Sequence, residues 1–115
     1  MPFDNPPQPR QEITLLRAAR DRITGPARWA KRCYVQPPTG VCAIQAVKIV
    51  CNGRGRMMGK LSRALARELP KNYRWLFFLP PLSKVILYND RGSTTHQMVI
   101  ELFDAAIMRL ELESV

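Results

Sequence analysis

Apolar residues recur at helical spacing in four stretches of this chain. In the first, from near Gln11 to Thr24, Leu16, Ala19 and Ile23 share one face. Gly25-Pro26 stops that helix, since proline cannot continue it and glycine suits the cap. The second starts near Gly40 and reaches about Cys51, with Ala43, Ala46, Val47 and Val50 at i, i+3, i+4 and i+7. Its one charge is Lys48, which makes it the expected central helix. The third runs from about Met57 to Leu69, with Leu61, Ala64 and Leu65 inward, and Pro70 ends it. The fourth carries Val99, Leu102, Phe103, Ala106 and Leu110. Thr94 and Gln97 ahead of it have capping-box spacing. Asn89-Asp90-Arg91-Gly92 before that reads as a turn, because such side chains bond to their own backbone.

Between the third and fourth stretches lies YRWLFFLPPL, Tyr73 to Leu82, without helical period. Part of it is expected in the core; rings left outside would make Trp75 to Leu82 a surface for a protein partner or a second copy. Lys84 to Tyr88 fits a short strand, with little room between Pro80-Pro81 and the turn. Residues 1–10 hold four prolines and predict a flexible arm. The expected fold is mainly α: a single domain over residues 11–115, a bundle of about four helices with a long irregular connection before the last. A chain of 115 residues can bury a core without metal or disulfide staples. No apolar run approaches the roughly 20 residues of a membrane span, and no signal-peptide pattern opens the chain. Cys33, Cys42 and Cys51 are odd in number and form no CxxC pair, which predicts free thiols and a cytoplasmic setting.

Charge sharpens this picture. The chain has 18 Lys+Arg against 9 Asp+Glu, and they are segregated. From Asn5 to Lys84 there are 16 basic and 3 acidic residues; from Val85 onward there are 2 and 5. A basic body ahead of an acidic last helix suggests a nucleic acid or an acidic protein surface as partner, or else a solvated surface.

Four groups of residues could carry chemistry. Gly53 to Lys60, GRGRMMGK, fails the Walker A template, which wants glycine at Arg54 and Ser or Thr at Leu61. It fails the dinucleotide fingerprint as well, at Met58. What remains is an anion site of Arg54, Arg56, Lys60, Arg63 and Arg67. Arg28, Lys31 and Arg32 form a second basic group around Trp29 and Tyr34, suited to phosphate contact with base stacking or to ordinary core packing of the rings. Cys42, His96 and Asn89 are the parts of a cysteine hydrolase or transferase. Against that, Cys42 beside Ala43 reads as a small buried residue, and His96 sits behind a helix cap. An enzyme is therefore the lesser expectation, and one histidine with scattered thiols predicts neither a metal site nor a cofactor.

Several short motifs occur together: the helix Leu15 to Ile23, then Trp29, then Cys42-Ala43-Ile44-Gln45-Ala46. Asn89-Asp90, Thr94-Thr95 and the run Val99 to Ile107 follow. In this order the chain resembles small bacterial and phage proteins of unknown function, the domain family DUF6197, over roughly Ile13 to Leu110. The family favours glycine where Gln45 stands, so a close helix contact there is not expected. The resemblance implies a fold and no activity.

Overall fold

The computed structural model describes residues 9–25, 28–31, 40–73 and 75–114. Five helices make up this part: α1 (Pro9–Arg22), α2 (Ala43–Cys51), α3 (Gly55–Ala66), α4 (Pro81–Asp90) and α5 (His96–Glu113). A 3-10 turn, Lys71–Tyr73, follows α3. The mainly helical class is as expected. The predicted arm over residues 1–10 gives up Pro9 and Arg10 to α1, and the rest of it lies outside the described residues.

Helix α5 lies along α1, and α2 contacts α1, α3 and α4. That central place for α2 follows from its lack of charge: Ala43, Ile44, Ala46, Val47 and Cys51 are all buried. From α5, Val99, Leu102, Phe103, Ala106 and Leu110 turn inward, and Phe103 is fully buried. Among the described residues, four ion pairs near the surface all involve α5: Arg17–Glu111, Arg20–Asp104, Arg67–Glu113 and Glu68–Arg109. Exposed pairs contribute only about 0–1 kcal/mol each, but they account for the segregated charge. Asp104, Glu111 and Glu113 of the last helix are counter-ions for arginines of the basic body, and Glu68 of the body answers Arg109 of the helix.

Three expectations are corrected. The segment around Lys84 to Tyr88 is not a strand but the middle of α4. Pro80-Pro81 starts this helix: Pro80 is the N-cap and Pro81 takes the first helical position, where a missing N–H costs nothing. Asn89-Asp90 is accordingly the last turn of α4 and not part of a free turn. The cap of α5 is Thr95, one residue later than expected; its hydroxyl accepts from Met98 N at 3.2 Å. Thr94 is buried instead. Finally, part of Trp75 to Leu82 joins the core, as expected, but none of its rings does. Leu76 and Leu82 pack against it partly buried, while Trp75, Phe77 and Phe78 stand out.

One glycine lies inside a helix for no packing reason. A Cβ on Gly59 of α3 would meet no heavy atom within 4 Å. Gly59→Ala is expected to stabilise the fold by about 1 kcal/mol, the difference in helix propensity, read as a higher thermal midpoint by circular dichroism. A lower midpoint would mean that this turn of α3 is not helical in solution.

Candidate functional site

Two groupings of polar residues can be built upward from the helices. The first surrounds Asn89, which is 1% exposed at the end of α4. Its Oδ1 accepts from Trp29 Nε1 at 2.7 Å and from Ala43 N at 3.0 Å. Its Nδ2 donates to Ala30 O at 3.1 Å and to Asp90 Oδ1 at 3.0 Å. An amide offers two donors and two acceptor lone pairs, so Asn89 is saturated. Beside it, Lys31 Nζ donates to Arg91 O and Gly92 O, satisfying carbonyls at the end of α4. His96 Nε2 donates to Ile23 O at 2.5 Å, because a carbonyl can only accept, and its ring lies 5.8 Å from that of Trp29.

The short motifs read along the chain thus converge on one polar cluster, tying the end of α1, the start of α2, the end of α4 and the start of α5. A model of a family of unknown function, DUF6197, matches residues 7–109. The chain belongs to DUF6197. No curated protein and no solved structure matches it. In this DUF6197 chain the position of Gln45 serves α2 itself. Gln45 Oε1 accepts from Cys42 N at 3.2 Å while Cys42 Sγ accepts from Gln45 N at 3.4 Å, a capping box.

The candidate nucleophile and its partners are all engaged. Cys42 is disulfide-bonded, so the expected free thiol is not present there. His96 and Asn89 spend their polar atoms on the scaffold, as above. Cys51 is a free, buried cysteine; burial pushes its thiol above the ordinary value, and the charge of Arg54 only partly opposes this. Cys33 lies outside the described residues. Among the described residues no group of three His, Cys, Asp or Glu could hold a metal ion, and no helix is long and apolar enough to cross a membrane.

The second grouping is a row of cations along α3. Arg56, Lys60, Arg63 and Arg67 are spaced i, i+4, i+7 and i+11, which places them on one face. Arg67 pairs with Glu113 at 3.1 Å. Among the described residues, Arg56, Lys60 and Arg63 have no ion pair or hydrogen bond from their side chains. Arg54 lies off this row; its guanidinium folds back onto Cys51 O at 3.0 Å and Val50 O at 3.5 Å, closing the end of α2. Arg28 is exposed on the far loop, Lys31 is spent on α4 as described, and Arg32 lies outside the described residues.

Arg63 and Arg67 form a ridge between two open hollows. One, of about 440 Å³, is lined by Arg63, Ala66, Arg67, Pro81, Lys84 and Arg109. The other, of about 360 Å³, includes Lys60 and the carboxylates of Glu12 and Glu113. Lys84 and Arg109 were not foreseen as members of this surface. Lys84 joins it only because α4 is a helix packed on α3, which the proline pair concealed.

Proposed function

We propose that this protein is a binding module whose α3 face holds the phosphate backbone of a nucleic acid. The observation that carries the reading is the row itself. Like charges three and four residues apart repel by about 0.2–0.5 kcal/mol per pair, and α3 contains no acidic residue to relieve them. Among the described residues, only Arg67 of the row has a counter-ion from elsewhere. Two further acids of α5, Glu111 and Asp104, are committed to Arg17 and Arg20, and Glu68 just after α3 is committed to Arg109. The row therefore works against its own helix, and a polyanion would reverse the sign of that term. Contact of this kind is to backbone, without base-edge readout, and is weakly specific.

The test is fluorescence anisotropy with labelled DNA and RNA at roughly 50 and 200 mM salt. Binding is expected to weaken steeply with salt, and Lys60→Glu/Arg63→Glu is expected to lose at least about tenfold at the lower salt. Arg63 is exposed and Lys60 half-buried, and among the described residues neither side chain has an ion pair or hydrogen bond to lose, so the variant should melt close to the parent. Binding that survives the double reversal would remove α3 from the interface. No binding at the lower salt would leave an acidic protein surface as the partner to seek.

A further inference from the structure

We infer that the loop Trp75–Leu79 is a stacking platform continuous with the α3 face, so that the nucleic acid taken there is single-stranded. This rests on the phosphate-binding reading of α3 and adds the class of ligand.

The loop sorts its side chains in an unusual direction. Trp75, Phe77 and Phe78 are 78%, 83% and 70% exposed, whereas Leu76 and Leu79 between them are half-buried. Here only flat rings face outward, and flat rings are what unpaired bases stack on. The loop is also held in shape. Leu76 N donates to Tyr73 O at 3.1 Å, Leu79 N donates to Leu76 O at 2.9 Å, and Pro80 then caps α4. Phe77 and Phe78 meet edge to face at 6.1 Å and 83°, which leaves ring faces open.

Position and charge join the loop to the cations. Pro81, two residues after it, lines the same hollow as Arg63, Arg67, Lys84 and Arg109. From Leu69 to Asn89 the sequence has Lys71, Arg74 and Lys84 and no carboxylate, and Asp90, which shares a hollow with Leu76 of the loop, has Arg91 beside it there. A duplex could use the cations but would keep its bases stacked on one another. A single strand can use both.

The experiment compares a labelled oligothymidylate with a labelled duplex of equal length, by anisotropy at the same salt, on the full chain. The parent is expected to favour the single strand. Trp75→Ala/Phe77→Ala/Phe78→Ala should lose about 10- to 100-fold on the single strand, with duplex binding and its salt dependence kept. Trp75→Phe, which keeps a ring, should retain most of the preference. Lys60→Glu/Arg63→Glu should weaken both ligands, and this separates the two readings: loss there without loss in the ring variant overturns stacking alone. A parent that does not distinguish strand from duplex also overturns it, and one that binds neither overturns both. Co-sedimentation with vesicles of phosphatidylserine and phosphatidylcholine that only the ring variant loses, without oligonucleotide binding, would assign the loop to a membrane surface instead. Concentration-dependent dimerisation that only the ring variant loses, with strand binding unchanged, would assign it to a second copy.

Discussion

Asn89→Ala is expected to lower the unfolding free energy by about 3 kcal/mol, a large share of what holds a domain of this size together. Three partners far along the chain depend on that amide: the indole of Trp29, the backbone N–H of Ala43 and the carbonyl of Ala30. Alanine would leave the Ala43 N–H buried without an acceptor, and a buried unsatisfied group costs about 1–3 kcal/mol. The half-buried Trp29 indole can reach water and contributes less. Urea unfolding checks this: the midpoint should fall while the slope stays the same. Trp29→Phe should cost roughly 1 kcal/mol by itself and almost nothing further in the Asn89→Ala background, since both remove the same bond. A loss below about 1 kcal/mol for Asn89→Ala would mean that water replaces the amide, and the cluster would not be the tie between helices described above.

Gly40→Ala should be comparably damaging for a purely steric reason. Gly40 is buried, and a Cβ there would lie 2.7 Å from the carbonyl carbon of Trp29 and 2.8 Å from that of Arg28. Both obstacles are backbone, so no side chain can swing away. The two segments are joined by Val41 N donating to Arg28 O at 2.8 Å and Ala30 N donating to Val41 O at 3.1 Å. Making room for one methyl means parting that bridge, at a cost of about 3 kcal/mol, the upper part of the overpacking range. The thermal midpoint should drop by roughly 10 °C or more. Gly25→Ala is the control, because its nearest obstacle is the flexible Arg28 side chain at 3.8 Å. If both variants melt alike, the two segments are not in close contact in solution.

The legible parts of this fold were those whose signal is local. Helices α1, α2, α3 and α5 announced themselves by apolar period, and the central place of α2 by its lack of charge. Helix α4 hid itself twice. Its opening proline pair looks like a break when the following period is weak, and its inner side, with Val85, Tyr88 and Asn89 buried and Leu82 and Ile86 partly so, ends on a polar residue. The destination of Asn89 could not be read either, because its far partners are 46 to 60 residues away. In the same way Thr94 and Thr95 are interchangeable as caps until the helix is seen to close on Met98, whose sulfur stands 3.4 Å from Thr95 N in the place expected for an amide. For the surface, the cation row on α3 was visible from spacing alone. The outward turn of Trp75, Phe77 and Phe78 was not, because composition assigns such residues to a core.

Helix α4 joins the aromatic loop at its first turn to Asn89 at its last, over ten residues or about 15 Å. It is a strut packed along α2 and α3 and clamped at its far end. Whatever presses on the rings is resisted less by the short loop than by the clamp at the far end, where four hydrogen bonds fix the amide in place. Loosening that clamp would let the strut swing and carry the rings off line, with no residue at the surface changed. One buried amide therefore contributes, from about 15 Å away, to the stiffness with which this protein holds out three aromatic rings.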